Sequence, residues 1–458
     1  MQNRQNVLLI TLDDMNYNSH EFLKPGAEPL TPHMDALRKR GFVFHNSHVT
    51  IAVCQPSRSV LMTGRYPHRN GARGFERISD GIPTLSGILR EHGYYTGIVG
   101  KETHLAPKEA FLWDEYIRTY TPEDAYGRSP ESYYRYTTQV IRNAKQQCKP
   151  FFLMANSHDP HRPFAFSEDE LSFFGEHMPV SYRYSLDDVV VPEFLPDLPD
   201  IRLEIAQYLS SVKRGDEAVG QILTAVDKAG VTGDTIVMLL SDNGMAMPFS
   251  KANCYLNSTK SPYLFVWPDH APAADSTNAL VASIDYLPTI LEILRLPCPE
   301  GIDGRSFTHL FEHPQDPHYT DIYTSFFKTA KNQITRAELH FPMRCVQDER
   351  YAYIYNAWSD GETAYISESM SGLAYKAMER AAETNAVIAE RVRVYRYRMP
   401  EELYDYQSDP HALKNLINDA SLMDVRQRLR RRMLSYMRSS NDELLARFEQ
   451  NIPFKKEN

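Results

Sequence analysis

Four short apolar segments constrain the fold of this 458-residue chain more than any other feature of its sequence. They cover residues 6–12, 96–99, 151–155 and 235–240. Segments of this length and composition are typical of strands that are buried on both faces of a parallel sheet. Amphipathic patterns typical of helices cover residues 32–40, 84–92 and 201–229. Strands that alternate with helices predict an α/β fold, in which helices cover both faces of one sheet.

Polar clusters directly follow three of these predicted strands. The clusters are Asp13-Asp14, Ser157-His158-Asp159 and Ser241-Asp242-Asn243-Gly244. In open α/β sheets, ligands bind beyond the carboxyl ends of the strands, which meet at one edge of the sheet. We therefore expect the acidic and histidine side chains of the three clusters to converge on one site.

The residue pattern changes after about residue 315. Residues 342–358 alternate apolar and polar side chains, which predicts paired antiparallel strands, and residues 426–438 have the spacing of a helix. Because a single core rarely exceeds roughly 300 residues, we predict a main domain over 1–315 and a smaller α+β subdomain over 316–458. Residues 110–200 are rich in Tyr, Pro and Asp with weak periodicity, and we expect them to form a long insertion.

The charge and the apolar content exclude some partners. The chain has 50 Lys and Arg against 59 Asp and Glu, a formal charge of −9, so its surface does not suit general nucleic-acid binding. No stretch approaches the roughly 18 consecutive apolar residues of a membrane-spanning helix. We therefore expect neither nucleic acid nor a membrane as a partner. A small anionic ligand is compatible with this charge, because a local cationic pocket can coexist with a negative surface.

The most specific motif begins at Cys54, where the chain reads Cys-Gln-Pro-Ser-Arg and continues to Leu-Met-Thr-Gly-Arg at residue 65. Pro56 suits the first turn of a helix, which places Cys54 at the helix N-terminus. Free backbone N–H groups and the helix dipole favour an anion there. Arg58 lies one turn further along, on the same side. This arrangement suits a sulfate or a phosphate beside the cysteine.

The string C-x-P-S-R-x-x-L-x-T-G-R resembles the signature of the type I sulfatases. The resemblance implies an alkaline-phosphatase-like fold with a large central mixed sheet flanked by helices, and a smaller C-terminal subdomain with an antiparallel sheet. It also implies that Cys54 is oxidised to Cα-formylglycine, whose hydrate is the nucleophile. A formylglycine-generating enzyme or an anaerobic sulfatase-maturating enzyme would then be a partner of the newly made chain.

Asp13, Asp14, Asp242 and Asn243 offer oxygen atoms that suit a hard cation such as Ca²⁺ or Mg²⁺. Adjacent carboxylates at a strand end are costly unless a cation or hydrogen-bond donors neutralise them. The resemblance implies that these four residues hold the divalent metal of the family, with the nucleophile at Cys54 and the substrate sulfate as further ligands. We expect Ca²⁺, with Mg²⁺ as the alternative.

The same resemblance assigns roles to three cationic residues. Lys101 follows the predicted strand 96–99 and is expected to contact the sulfate. Lys251, nine residues after Asp242, stands near the place where family members carry a Lys or Arg that contacts sulfate. Arg58 is expected to help withdraw charge from the sulfate oxygens and from the nucleophile.

Histidines supply the expected proton chemistry, because their pKa lies near neutral pH. The resemblance makes His158 the candidate general acid, with His104 as the second candidate. Two residues separate Lys101 from His104, whereas the family usually has one. His161 and Arg162 are expected to line the substrate cleft.

The chain also resembles the heparan N-sulfatase group within this family. The segments that carry this narrower resemblance are 151–162, 241–244 with Asn253 and Tyr255, and 341–347. Residues 402–405, Asp409-Pro410 and Asn415-Leu416 resemble a motif near the C-terminus of many sulfatases. In the N-sulfatase group the bond that breaks joins sulfur to nitrogen in an N-sulfoglucosamine of heparin or heparan sulfate. Lys251 stands where that group is expected to have Arg.

Three other functions stay open from the sequence. The same chemistry applies to an O-sulfate on heparan, ulvan-like or other polysaccharides. A phosphatase or phosphonate monoester hydrolase of the same fold superfamily would use the same kind of anion pocket. A catalytically silent sugar-binding relative is disfavoured, because the main catalytic positions are all present. The family resemblance alone implies a homodimer.

The first residues and the remaining cysteines carry weaker expectations. The apolar run in MQNRQNVLLITL is too short for a signal peptide and lacks a small-residue cleavage site. As the sequence reads we expect a cytoplasmic protein, whereas a removed leader would make it periplasmic, secreted or lysosomal. Cys148, Cys254, Cys298 and Cys345 form no CxxC pair, and we expect them to be core or near-core thiols.

Overall fold

The computed structural model describes residues 5–272, 275–330 and 336–452. Its strands are β1 (Asn6–Leu12), β2 (Phe42–Phe44), β3 (Ser47–His48), β4 (Tyr95–Val99), β5 (Glu115–Ile117), β6 (Phe151–Asn156), β7 (Thr235–Ser241), β8 (Tyr263–Val266), β9 (Asp275–Thr277), β10 (Val281–Ala282), β11 (Ile322–Lys328), β12 (His340–Gln347), β13 (Tyr351–Asn356) and β14 (Glu401–Asp405).

Its α-helices are α1 (Pro32–Arg38), α2 (Cys54–Thr63), α3 (Pro67–Asn70), α4 (Leu85–Glu91), α5 (Lys108–Phe111), α6 (Pro130–Gln146), α7 (Glu168–Phe174), α8 (Pro199–Lys228), α9 (Leu256–Thr259), α10 (Tyr286–Ile293), α11 (His309–Glu312), α12 (Leu373–Ala382), α13 (Ala386–Tyr397), α14 (Met423–Ser440) and α15 (Leu445–Asn451). Short 3₁₀ segments include Glu102–His104, Pro122–Gly127 and Glu368–Ser371.

The main sheet has eight strands in the order β5-β4-β6-β1-β7-β8-β2-β9. Strands β5, β4, β6, β1 and β7 run parallel, whereas β8 is antiparallel to both of its neighbours. The four apolar segments of the sequence are β4, β6, β1 and β7, which lie side by side. The predicted mixed sheet is confirmed, and its predicted strands form the parallel centre.

Helices cover both faces of this sheet. Leu8 and Ile10 of β1 pack into one apolar cluster with α8, whereas Val7 and Leu9 pack into a second cluster with α4 and α10. Because successive side chains of a strand point to opposite faces, the two clusters lie on opposite sides. The helices predicted over 32–40, 84–92 and 201–229 are α1, α4 and α8.

A second sheet is antiparallel and has the order β11-β12-β13-β14. Leu429 and Met433 of α14 pack on it against Val346 and Tyr353. The antiparallel strands predicted over 342–358 are β12 and β13, and the helix predicted over 426–438 lies within α14. The Ser325 N–H donates to the Thr50 carbonyl at 2.8 Å, which ties this sheet to the segment that leads into α2.

Two features differ from the sequence analysis. Residues 110–200 contain the 17-residue helix α6, which was not predicted. Its buried face includes Tyr133, Thr137 and Val140 at helical spacing, but tyrosine and threonine are only partly apolar and obscured the pattern.

The expectation of core thiols is wrong for Cys148 and Cys298, which are exposed. Within the described part of the chain, no helix is both long enough and apolar enough to span a membrane.

Candidate active site

Helix α2 carries Cys54 in its first turn, and every one of its residues is buried. Pro56 lies in that turn, as the sequence predicted. The helix ends at Thr63 and is capped by Gly64, whose φ of 61° is a conformation that glycine adopts readily. The Cys54 Sγ lies 4.0 Å from Asp14 Oδ1. The start of α2 therefore meets the carboxyl end of β1.

Arg58 connects α2 to the ends of three strands. Its Nη1 donates to Thr11 Oγ1 at 2.5 Å and to Asn156 Oδ1 at 2.6 Å. Its Nη2 donates to Asp242 Oδ2 at 2.6 Å and lies 3.7 Å from Asp13 Oδ2. The guanidinium group is fully buried among these partners. The contacts make Arg58 a residue that positions the carboxylates, while its predicted contact with sulfate stays a prediction.

The four predicted metal ligands lie together, fully buried, at the ends of β1 and β7. The Asp14 N–H donates to Asp242 Oδ1 at 3.1 Å. Asn243 Nδ2 donates to Asp14 Oδ1 at 2.7 Å. Asp14 adopts a φ of 69°, which turns the chain sharply after the strand. The parallel pairing of β1 with β7 thus brings together side chains that are far apart in sequence.

The chemistry of this cluster fits a hard divalent cation. Asp13 Oδ1 and Asn243 Oδ1 are buried and accept no hydrogen bond from any described residue. Burial raises the pKa of Asp14 to about 8 and that of Asp242 to about 6, and the charge of Asp13 adds to both shifts. A cation would remove this electrostatic cost and would satisfy the free oxygens.

Donor atoms of other types lie close to the same carboxylates. Asp13, Cys54 and His104 have donor atoms within 4.8 Å of one another, and so do Asp13, Asp14 and His161. Burial, with Asp13 adding to it, raises the pKa of the Cys54 thiol well above its usual value. The unmodified thiol is therefore protonated and a weak nucleophile.

Two lysines compensate the carboxylates. The Lys101 ammonium group forms an ion pair with Asp13. Burial alone would raise the pKa of Asp13, but Lys101 and the other nearby cationic groups hold it well below its ordinary value. Lys251 Nζ lies 2.8 Å from Asp14 Oδ1 and 2.9 Å from Oδ2. Burial opposes the charge of Lys251, yet Asp14 raises its pKa well above the usual value, so this ammonium group stays charged.

The three predicted histidines surround this cluster. His158 Nε2 lies 3.3 Å from Thr119 Oγ1, and His161 Nε2 lies 3.9 Å from Asp14 Oδ2. Burial lowers the pKa of all three rings, that of His161 to about 3, and Lys101 adds to each shift. His104 and His158 are lowered well below their usual value. An arriving anion would raise these pKa values again.

Arg162 is held by protein groups. Its Nη1 donates to Glu204 Oε1 at 2.6 Å, and its Nη2 donates to the Ala246 carbonyl at 2.9 Å. The guanidinium also lies over the Phe164 ring, 4.4 Å from its centre. These contacts satisfy the charge of Arg162 within the protein. Its predicted place in the substrate cleft stays a prediction.

Some residues of the site were missed by the sequence analysis. Thr11 and Asn156 hold Arg58, and the available signal was a polar residue at the end of an apolar strand. Glu368 lies 2.6 Å from Lys251 Nζ. No local motif marks Glu368, because only the tertiary fold brings residues so distant in sequence together.

The fold and the site define a class of protein. A model of the sulfatase family matches residues 5–296, which is well over half of the chain and includes every predicted site residue. The chain therefore belongs to the sulfatase family and is a hydrolase of that class. A second model, described as the C-terminal region of N-sulphoglucosamine sulphohydrolase, matches residues 244–364.

Two individual sulfatases align with nearly the whole chain. Human N-sulphoglucosamine sulphohydrolase is 28% identical over 96% of this chain and 91% of its own length. An ulvan-active sulfatase of Formosa agariphila is 27% identical over 96% of this chain and 81% of its own length. The predicted sulfatase family and the predicted likeness to the N-sulfatase group are confirmed.

A solved structure with a related fold contains a bound sulfated sugar. It is described as a complex with its substrate D-glucosamine-2-N,6-O-disulfate and has a TM-score of 0.69 to this chain. The alignment covers 99% of this chain and 100% of that one, at 17% identity. At this identity the likeness shows the fold alone, and it confirms the predicted alkaline-phosphatase-like architecture.

Proposed function

We propose that this sulfatase hydrolyses the S–N bond of N-sulfoglucosamine in heparin or heparan sulfate, with inorganic sulfate and a free amine as products. The observation that carries the proposal is the match of residues 244–364 to the C-terminal model of N-sulphoglucosamine sulphohydrolase. The human enzyme of that name, which aligns over nearly the whole chain, supports the same substrate.

The proposed site also includes a divalent cation and a modified Cys54. Asp13, Asp14, Asp242 and Asn243 would hold Ca²⁺, or Mg²⁺ as the alternative, and the ion would supply positive charge that polarises the sulfate oxygens. Oxidation of Cys54 to Cα-formylglycine by a maturation enzyme would supply a hydrated aldehyde, whose oxygen is a better nucleophile than a protonated thiol.

The side chains of the chain would bind the substrate and move protons. Lys101 and Lys251 would bind the sulfate oxygens by charge-assisted hydrogen bonds, since both ammonium groups already face the carboxylates of the site. Arg58 would keep Asp242 in position through its contact at 2.6 Å. His158, with His104 as the alternative, would give a proton to the departing nitrogen.

The alternative substrate is an O-sulfate ester on another polysaccharide. The ulvan-active sulfatase of Formosa agariphila supports it, since its identity to this chain is similar and its alignment also covers 96% of this chain. The two functions differ in the bond that breaks, which is S–N in the first and S–O in the second. The homodimer implied by the family resemblance stays a separate prediction.

Product analysis by NMR tests the proposal. The matured protein is incubated with glucosamine N-sulfate and, separately, with N-acetylglucosamine 6-O-sulfate. We expect a free amine at C2 of the first sugar together with inorganic sulfate, and no change in the second. Desulfation of the 6-O-sulfate alone would contradict N-sulfatase activity and would favour the O-sulfate alternative. A preparation with Cys54→Ala serves as the control for contaminating sulfatases.

A further inference from the structure

A carboxylate from the C-terminal part of the chain reaches the active site. Glu368 begins the 3₁₀ segment Glu368–Ser371, and its Oε1 lies 2.6 Å from Lys251 Nζ. The same ammonium group contacts both oxygens of Asp14, and Asp14 is next to Cys54. The Glu368 side chain keeps 32% of its surface exposed, whereas Asp14 is fully buried. Glu368 therefore contacts Lys251, one of the two lysines proposed to bind sulfate, on the side of the site that is nearer to solvent.

The surroundings of Glu368 hold it in this place. Tyr365 O–H donates to the Ala252 carbonyl at 2.5 Å, so the segment that carries Glu368 is docked on the segment that carries Lys251. A narrow cleft opens between these segments, and Val53, the residue before the reactive cysteine, also lines it. Glu368 thus lines a space of about 20 Å³ that adjoins the N-terminus of α2.

Lys251 has a second carboxylate partner besides Glu368. Asp14 already offers two oxygens to that ammonium group, and no described residue donates a hydrogen bond to Glu368 Oε2. A fixed carboxylate weakens the binding of an anion by like-charge repulsion unless the ligand presents a proton to it. The ligand that suits this arrangement therefore carries a hydrogen-bond donor next to its sulfonate group.

N-sulfates and O-sulfates differ at the atom that bridges sulfur and sugar. The bridging nitrogen carries a proton, whereas the bridging ester oxygen carries lone pairs only. A carboxylate accepts a hydrogen bond from the nitrogen and is repelled by the oxygen. When the S–N bond breaks, the nitrogen takes a proton from the enzyme to form the amine, and a second proton from water makes it an ammonium ion. A carboxylate also stabilises that product.

We propose that Glu368 is a specificity-determining residue, which accepts a hydrogen bond from the bridging N–H of an N-sulfated amino sugar and disfavours O-sulfate esters. This inference rests on the proposed N-sulfatase function and adds the residue that selects nitrogen over oxygen. Lys251 and Lys101 bind the sulfate oxygens in either kind of substrate, whereas Glu368 contacts the atom that distinguishes them.

The test compares two substrates that differ only at the bridging atom, D-glucosamine N-sulfate and D-glucose 2-O-sulfate. Matured wild type and the Glu368→Gln variant are assayed for sulfate release with both. Glutamine keeps the shape of the side chain but removes its charge and turns a donor toward the cleft. We expect kcat/KM for the N-sulfate to fall at least tenfold, and kcat/KM for the 2-O-sulfate to stay within threefold or to rise.

Conservative and matched variants separate specificity from structure. Glu368→Asp keeps the charge and is expected to retain a preference for nitrogen between those of wild type and Glu368→Gln. Glu76→Gln is the control, because Glu76 pairs with another lysine of the same cleft, Lys328, at 2.5 Å and is also partly exposed. We expect that control to leave the ratio of the two kcat/KM values unchanged.

A binding experiment gives a readout that does not depend on turnover. In the unmodified Cys54→Ala background, calorimetric titrations use D-glucosamine, D-glucose and inorganic sulfate. We expect Glu368→Gln to weaken D-glucosamine binding at least fivefold, and to leave inorganic sulfate binding equal or tighter. Equal losses for D-glucosamine and D-glucose would overturn the inference, because a lost contact with the cationic amine affects only the amino sugar.

The outcomes for Glu368 and for the proposed function are distinguishable. If wild type cleaves the N-sulfate and Glu368→Gln does so equally well, only the inference on Glu368 is overturned. If both substrates lose the same factor, Glu368 acts by orienting Lys251 and not by selecting nitrogen. If wild type cleaves the 2-O-sulfate and leaves the N-sulfate intact, the proposed function and the inference both fail.

Discussion

The buried charges of the site compensate one another. Arg58 and Asp242 are both fully buried, with 2.6 Å between their charged atoms. Removal of either partner would leave the other charge buried with less compensation, and breaking a buried ion pair in this way typically costs about 3–5 kcal/mol. The ion pair between Arg58 and Asp242 therefore contributes to the stability of the fold. A test of the nucleophile must use a residue whose loss leaves these ion pairs intact.

Cys54 meets that requirement, because its neutral thiol takes part in no ion pair. We predict that Cys54→Ala lowers turnover of a sulfated sugar by at least about a thousandfold, since alanine offers no nucleophile. The loss of one buried sulfur atom is expected to cost only about 1 kcal/mol of stability. Sulfate release and urea unfolding measure the two effects, and mass spectrometry of the wild-type peptide detects the aldehyde.

Cys254→Ala is the matched control for this prediction. Cys254 is also buried but lies outside the acidic cluster. We expect it to retain turnover at the wild-type level and to show a similar small loss of stability. Wild-type turnover in Cys54→Ala would exclude Cys54 as the source of the nucleophile.

At the scale of elements, a single glycine in the 3₁₀ segment Pro122–Gly127 leaves the room that His158 occupies. Gly127 has a φ of 79°, and a Cβ added to it would approach His158 Cδ2 to 2.2 Å. The segment lies within residues 110–200, which the sequence predicts to be a long insertion. Its position in the fold shows that this region shapes the site around a predicted general acid.

We predict that Gly127→Ala lowers kcat for sulfate release at least tenfold, because the imidazole must move away from the new methyl group. The positive φ itself is expected to cost about 1 kcal/mol of stability for any side chain. Steady-state kinetics and urea unfolding measure the two effects. Gly175→Ala is the control, since Gly175 has a φ of 80° and open space around it. An equal loss of kcat in both variants would contradict the role assigned to the His158 contact.

At the scale of the whole molecule, a buried ion pair joins the turn after α14 to strand β12 of the second sheet. Arg344 donates to both oxygens of Asp442, at 2.6 and 3.0 Å. His68 of α3 has its Nε2 3.2 Å from the Ser440 carbonyl. These contacts join residues that are 98 and 372 positions apart in the sequence.

This junction predicts a loss of stability in acid. Burial lowers the pKa of His68 to about 4; Asp442 opposes the shift, and Arg344 adds to it. The unfolded chain, with an ordinary pKa of about 6.5, therefore binds the proton more tightly than the folded one. The stability that neutral His68 contributes is present in full above about pH 6.5 and is lost as the pH falls toward 4. We expect the free energy of unfolding to fall by about 2 kcal/mol between pH 7.5 and pH 5 from this residue.

Urea unfolding at pH 7.5 and pH 5 measures this effect. We expect His68→Gln to reduce the difference in unfolding free energy between the two pH values by about 2 kcal/mol relative to wild type. His20→Gln, at an exposed site, is expected to leave the difference unchanged. An unchanged difference in His68→Gln would show that His68 does not titrate with folding.

The sequence allowed the main features of the sheet and of the buried acidic cluster to be predicted. Strands β1, β4, β6 and β7 were recognisable because a strand buried on both faces must be apolar along its whole length. The polar residues directly after them were expected to meet, because parallel strands end at one edge. Helix α6 was not predicted, since its buried face contains tyrosine and threonine, which do not mark an apolar stripe clearly.

The sequence by itself determined the family, the predicted nucleophile position at Cys54 and the four candidate ligands, because short motifs specify local backbone and chemistry. Only the tertiary structure decided which side chains contact them. Arg58 turns to Thr11 and Asn156, and Glu368 reaches Lys251 across more than a hundred residues. Such contacts depend on strand order and on the docking of the second sheet, which are set by packing over the whole molecule and leave no periodic trace in the local sequence.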